Sequence, residues 1–393
     1  MSKLIPLSIP NFEGNEKKYV DDALEQGWVS TGGAYITKLE QEMAKFLQVE
    51  SVAACQSGTS ALHLSLVESG VKPGDVVLVP PLTFIAAVNP VKYQFAIPVF
   101  IDCDDSLCID PIKLRSFCEK ECEFVDGVLI HKGRTVKALV VVHVFGNMAD
   151  MEAIMETAEK YNINVIEDAT EALGTYYTEG KYKGKFAGTI GGFGCFSFNG
   201  NKIITTGGGG AITAKTLETV DHLRFLSTQA KTDPHYYIHN EIGYNYRMTN
   251  LQAALGVAQM EKLPEFIKRK QDNFEWYKAE LSDFEFAELM PFRDGVSSNK
   301  WFYSVKIDRN HVKASMKDII IALEKESIQT RAVWGLINEQ LPYEGEETYK
   351  IEKAPYYANR ILNIPCSTQI TRKEIRYVAD KVKQLLRNLA NGQ

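Results

Sequence analysis

The chain has 393 residues, 45% of them hydrophobic and 24% charged, with a net charge of −6. That length predicts roughly two domains of about 100–200 residues each. The mild acidity leaves no basic footprint for nucleic acid and no pull toward anionic membranes, so neither is an expected partner.

The amino-terminal stretch 1–12 (MSKLIPLSIPNF) lacks the apolar core of a secretory leader, and a cytoplasmic protein is expected. Residues 14–27 read as a helix, with Tyr19, Val20, Ala23 and Leu24 at helical spacing. A second helix is expected over 59–69 (TSALHLSLVES), opened by Ser57-Gly58. Short β-rich runs follow at 76–80 (VVLVP) and 97–102 (IPVFID). The segment 124–134 carries two turn signals, Asp126-Gly127 and Lys132-Gly133, and predicts a surface hairpin. Further strands are expected at 137–144 (KALVVVHV), 164–168 (NVIED) and 194–198 (GCFSF), with a helix over 151–161. Continuous apolar strands interleaved with helices indicate an α/β fold whose mostly parallel sheet is buried on both faces.

Beyond about residue 260 the pattern changes to a smaller α+β unit, with a strand at 301–307 and a helix at 315–326. The expected division is a large domain over 1–260 and a small one over 261–393. The longest apolar runs, such as 137–145, are of strand length, far below the roughly 20 residues that span a bilayer. The seven cysteines form no metal-binding spacing; they read as reduced thiols, and no metal is expected.

In parallel α/β sheets ligands bind beyond the carboxyl ends of the strands. Asp168 ends one strand; Asn199-Gly200-Asn201-Lys202 follows another; Pro81-Leu82-Thr83-Phe84 follows a third. The helix beginning near Thr59 offers free backbone N–H groups and a positive dipole end, where an anion can sit. Pyridoxal 5′-phosphate (PLP) needs these parts. Its aldehyde takes a lysine amine as a Schiff base, its ring nitrogen needs a carboxylate, its phosphate needs N–H and hydroxyl donors, and its ring needs an aromatic face. Taken singly each feature is ordinary. A lysine after a strand decorates surfaces, an Asp at a strand end caps turns, and a Phe fills cores. Their joint placement points to PLP.

The chain resembles the DegT/DnrJ/StrS sugar aminotransferases, from Trp28 to about Arg387. The resemblance is carried by Trp28-Val29-Ser30-Thr31-Gly32, Ser57-Gly58-Thr59-Ser60-Ala61-Leu62, Val142-His143-Val144-Phe145-Gly146, Glu167-Asp168-Ala169, Ser197-Phe198 followed by Lys202, and Gly243-Tyr244-Asn245-Tyr246-Arg247. It implies a fold-type-I, aspartate aminotransferase-like architecture with PLP, and pyridoxamine phosphate as its alternate form. It implies Lys202 as the cofactor lysine and Asp168 as partner of the ring nitrogen. Gly58, Thr59 and Ser197 become phosphate ligands, and Phe84 the stacked ring. It also implies a homodimer with composite active sites, in which Asn245 reaches the neighbour's phosphate with Arg247 nearby. Trp334 and Asn338 could line a sugar-nucleotide cleft; Trp334 as small-domain core is an equal reading.

Two departures stand out. Glu171 replaces the Gln that faces the PLP phenolic oxygen in the resembled family; a carboxylate there is protonated, turned away, or bridged by a cation or water. Gly207-Gly208-Gly209-Gly210 replaces Gly-Glu-Gly-Gly, which should loosen a turn. Family dehydratases carry His in place of the lysine, so Lys202 favours transamination. The segments Ser197–Lys202 and Ala169–Gly174, with the extra hairpin, resemble most the aminotransferases of legionaminic-acid pathways. These aminate C4 of a nucleotide-linked 2-acetamido-4-keto-6-deoxy hexose with glutamate as donor. A different keto sugar, dehydration, or a non-catalytic PLP sensor are the rival readings. A nicotinamide enzyme is disfavoured, because no G-x-G-x-x-G turn opens a first βαβ unit.

Overall fold

The structure, a computed structural model, describes residues 4–233 and 235–391. The first three residues of the amino-terminal stretch read above lie outside that range. A ten-stranded sheet forms the larger part. Its main path runs Ala53–Cys55, Gly210–Ala214, Phe193–Ser197, Asn164–Asp168, Arg134–Val142, Val76–Val79, Ile97–Ile101, Thr348–Tyr349. From Phe193–Ser197 to Thr348–Tyr349 every pairing is parallel, and the first two strands close the edge antiparallel. Strands such as Val76–Val79 are buried along their whole length, as a sheet covered on both faces requires. This is the mostly parallel α/β sheet that the sequence predicts, and it agrees with the fold-type-I architecture that the resemblance implies.

Local chemistry explains the elements. The helix Gly58–Glu68 begins where the Ser57 hydroxyl accepts the Ser60 N–H at 3.0 Å. The segment 124–134 forms two successive turns. Glu123–Val125 pairs with Val128–His131, which pairs back onto Arg134–Val142. Asp126, Gly127, Lys132 and Gly133 all have φ between 50° and 78°, as those tight turns need.

Three long helices gave no clear sequence signal. Ala34–Leu47 and Arg372–Ala390 pack against Asn250–Glu280, a 31-residue helix opened by a Thr249/Gln252 capping box. Pro264 sits inside that helix, and so does residue 260. A second, four-stranded antiparallel sheet runs Ala287–Leu289, Tyr303–Ile307, Ile361–Ile364, Arg331–Ala332. The helix Met316–Lys325 packs on its edge strand. Trp301 and Phe302, expected to open the strand at 301–307, precede it as a buried stacked pair.

Candidate active site

A cleft of about 520 Å³ opens beyond the carboxyl ends of the central parallel strands. Asp168 closes Asn164–Asp168 and is paired in register with Val142 and Cys195 on either side. The preceding residue holds that strand end. Glu167 is fully buried and accepts the N–H groups of Gly188 (2.9 Å), Ile190 (2.6 Å) and Gly191 (2.5 Å). His143 accepts the Ala149 N–H at Nδ1, so its Nε2–H donates to Glu167 at 2.9 Å. Burial opposes ionisation of Glu167, but His143 and these backbone donors hold its carboxyl below the usual range. The result is a rigid seat for Asp168.

Asp168 itself is 4% exposed and accepts the Thr170 N–H at 3.1 Å. Among the described residues it has no ion pair of its own, and burial raises its pKa. Glu171 lies one turn on. Its Oε2 accepts the Phe145 N–H at 2.8 Å, and its Oε1 stands 3.5 Å from Lys202 Nζ. Burial pushes Glu171 up to about 7; Lys202 pulls the other way, and Asp168 adds to the rise.

Lys202 ends a tight turn in which its N–H donates to Asn199 O at 3.0 Å. Its Nζ also lies 4.0 Å from the centroid of the Trp301 ring.

Gly58, Thr59 and Ser197 line one end of the cleft, at the first turn of Gly58–Glu68. A Cβ on Gly58 would come within 2.9 Å of Ser197 Cβ and 3.0 Å of Thr170 Cγ2, so a glycine is what lets the helix start sit this close to Ser197. Phe84 also lines the cleft and is 56% exposed. Trp334 also lines the cleft, packed 4.8 Å from the Phe145 ring.

Three expected site residues lie elsewhere in the single chain. Asn338 is off the cleft wall, in the short 3-10 helix Ile337–Glu339, whose Ile337 N–H donates to Pro81 O at 2.9 Å; its own Oδ1 is enclosed without a partner among the described residues. Asn245 and Arg247 line a separate recess of about 260 Å³. Arg247 donates to Glu40 Oε1 (2.5 Å) and Ala54 O (3.1 Å), tying the edge strand to the helix Ala34–Leu47. The four-glycine run is tethered where Gln252 Nε2 donates to Gly208 O at 2.8 Å and the Phe198 N–H to Gly209 O at 2.9 Å.

Sequence reasoning missed Trp301, Phe302, Arg331 and Asn363 in the cleft wall. They come from the second sheet and its approaches, and no local pattern ties them to Lys202. A cavity of about 580 Å³ lies at Asp105, Glu288 and Lys353. Its charges are spent on each other: Lys353 pairs with Asp105 at 2.8 Å and Lys306 with Glu288. Its lysines and acids are already paired, which leaves the first cleft as the candidate site.

A sequence profile of the DegT/DnrJ/EryC1/StrS aminotransferase family matches residues 10–383. The chain belongs to that family. Its members are PLP-dependent sugar aminotransferases, and this chain is such an enzyme. GDP-perosamine synthase from Escherichia coli O157:H7 is 33% identical over 97% of this chain and 98% of its own length. The UDP-4-amino-4,6-dideoxy-N-acetyl-beta-L-altrosamine transaminase of Campylobacter jejuni (strain 81-176) is 26% identical, covering 99% of each chain. The solved structure of Helicobacter pylori PseC, an aminotransferase involved in pseudoaminic acid biosynthesis, superposes with a TM-score of 0.88. It covers 98% of this chain and 100% of that one at 22% identity, a likeness of fold.

The cleft fits PLP on its own terms. A buried carboxylate with no ion pair among the described residues suits a protonated ring nitrogen, a helix start in the cleft wall suits a phosphate, and the Lys202 amine lines the same cleft. Among the described residues no cluster of three or more His, Cys, Asp or Glu could hold a metal ion. Among them, too, no helix is long and apolar enough to cross a membrane.

Proposed function

We propose that this enzyme moves an amino group from glutamate to C4 of a nucleotide-linked 2-acetamido-4-keto-6-deoxy hexose. The product would enter the making of a legionaminic-acid-like bacterial surface sugar in the cytoplasm. One observation carries the chemistry: Lys202 and the buried acids Asp168 and Glu171 line a single cleft that also takes in the start of helix Gly58–Glu68. The Campylobacter relative supports the position of the amine, since its name specifies a UDP-linked 4-amino-4,6-dideoxy-N-acetyl sugar.

In this reading Lys202 carries the cofactor and moves protons at Nζ. Bound PLP supplies an electron sink that lets the C–H bond beside the amine be broken. Asp168 keeps the ring nitrogen protonated, because a cationic ring offsets the cost of burying its charge. Gly58, Thr59 and Ser197 receive the phosphate, and Phe84 covers the ring. Glu171, poised near neutrality, takes or gives a proton beside Lys202. Trp334, in the cleft wall, would meet the sugar nucleotide; Asn338, off that wall, is left out of this role.

Asn245 and Arg247 belong to the same proposal as residues that serve the partner's cleft in a homodimer with composite sites. Their recess away from the cleft of their own chain supports that arrangement. The proposal also divides the chain into a large unit over 1–260 and a small one over 261–393, although residue 260 lies inside the helix Asn250–Glu280 and Thr348–Tyr349 joins the large sheet.

The test is incubation with glutamate and a panel of nucleotide-linked 4-keto sugars. Amination replaces the carbonyl oxygen with NH₂ and H, and NMR places the amine at C4. Loss of water instead, or an amine on another carbon, contradicts the reading.

A further inference from the structure

We propose that Trp301 is the positioning residue for Lys202: its indole face holds the lysine's charged head inside the cleft whenever that head is not bound to the cofactor. The proposal rests on the reading of Lys202 as the cofactor lysine. It is built from contacts that converge on one ring. Lys202 Nζ lies 4.0 Å from the Trp301 centroid, with Glu171 Oε1 at 3.5 Å. An ammonium over an indole face is attracted by the negative potential of the ring.

The ring is fixed by unusual means. Its Nε1–H donates to Asn201 O at 2.8 Å, the residue directly before Lys202, so ring and lysine hang from the same turn. The Trp301 carbonyl accepts the ammonium of Lys270 at 2.5 Å. Lys270 is 2% exposed, belongs to the helix Asn250–Glu280, and also donates to Cys366 O at 2.6 Å. Among the described residues it has no carboxylate partner. Burying this amine with two carbonyls and the face of the Tyr303 ring 5.3 Å away is costly, and here it serves to pin the backbone at Trp301.

The Trp301 N–H donates to Asn299 Oδ1 at 3.0 Å. Asn299 in turn donates through Nδ2 to Glu171 O and Leu173 O, each at 3.0 Å. One fully buried amide therefore couples the wall carrying Trp301 to the loop carrying Glu171. Gly146 must lack a side chain for this, since a Cβ there would stand 2.0 Å from Asn299 Oδ1. Lys202 is thus held between a ring and a carboxylate whose spacing is set by Asn299.

When Lys202 has taken a proton from a substrate carbon, the ring keeps the resulting ammonium near the carbon that must receive it. Two effects of opposite sign follow from losing the face. Turnover falls, because the charged lysine is no longer retained. In the cofactor-free protein, acylation of Lys202 speeds up, because the ammonium form loses a stabilising contact. A residue that merely fills space moves turnover and fold together and does not speed one lysine's labelling.

The experiment replaces Trp301 site-specifically with mono-, di- and trifluorinated tryptophans, which keep the shape and the indole N–H but drain the ring face. Trp301→Phe and Trp301→Leu accompany the series. Acetic anhydride labelling of Lys202 in the cofactor-free protein, with exposed Lys17 as internal reference, should rise stepwise with fluorination. The kcat of the holoenzyme should fall stepwise, by about 2- to 30-fold across the series, with KM for both substrates little changed. Trp301→Phe should retain more kcat than Trp301→Leu. A flat labelling series overturns the proposal, and so does a rise in KM at constant kcat, which would make Trp301 a substrate contact. Borohydride trapping of the wild-type holoenzyme separates the two readings. An adduct away from Lys202 removes the reading of Lys202 itself; an adduct on Lys202 with a flat series removes only the role of Trp301.

Discussion

Glu171 Oε1 stands 3.5 Å from Lys202 Nζ while Glu171 Oε2 is tied to the Phe145 N–H at 2.8 Å. The second contact depends on a strained residue, since Phe145 sits at φ 57°, ψ 20°. The carboxylate that replaces the expected Gln is therefore turned toward the lysine and held there, with Asp168 and Lys202 as the charged groups that act on it.

The pH dependence of stability follows. The Glu171 pKa is raised by burial from 4.5 to about 7 in the folded chain. A carboxyl raised in this way favours the fold while it is protonated. The contribution is full below about 4.5 and is lost as pH climbs to about 7. Glu171→Gln keeps the acceptor for Phe145 but cannot ionise. In the cofactor-free protein its Tm relative to wild type should rise between pH 5 and pH 8, by an amount equivalent to about 1–3 kcal/mol. An equal Tm difference at both pH values contradicts a neutral-range Glu171.

Asp168→Asn preserves shape and removes a charge. The cofactor should still be captured by the protein, measured as bound PLP released on denaturation. Turnover should fall by roughly 10²–10³-fold, the scale for removing one preorganised electrostatic group. Near-normal turnover would show that Asp168 does not face the ring nitrogen.

Composite sites predict complementation between two inactive chains. Lys202→Ala lacks the amine, and Asn245→Asp sets a carboxylate against a phosphate. After subunit exchange, about half the dimers are mixed and each has one intact site, so activity should return to about a quarter of wild type. No recovery despite verified exchange would assign Asn245 to its own chain's cleft or to none.

Much of this site was legible because its parts follow strands. Asp168, Ser197 and Lys202 come directly after buried apolar runs, and Gly58-Thr59 opens a capped helix. Such local signals survive in a linear reading. The far wall was not legible. Trp301 and Arg331 reach the cleft only because the second sheet docks beside the first, and Lys270 reaches Trp301 only because a 31-residue helix runs past it. Long-range packing of that kind leaves no period or motif. The expected helix at 14–27 and the strand at 164–168 were found because amphipathic spacing and β-branched runs act locally. The helices Ala34–Leu47 and Arg372–Ala390 went unread, although the latter carries a Thr371/Glu374 capping box. The recess that Asn245 lines, apart from the cleft, was not legible either, because the fold of the whole chain sets it.

The central claim is that Lys202 carries the cofactor, and borohydride reduction of the holoenzyme followed by peptide mapping tests it most directly. The account predicts a yellow protein whose absorption band bleaches on reduction, with one PLP adduct per chain on the peptide containing Lys202. The Lys202→Ala protein should still bind PLP through the phosphate and ring contacts, yet give no adduct at that site. An adduct on any other lysine, or none in the wild-type enzyme, would contradict the account.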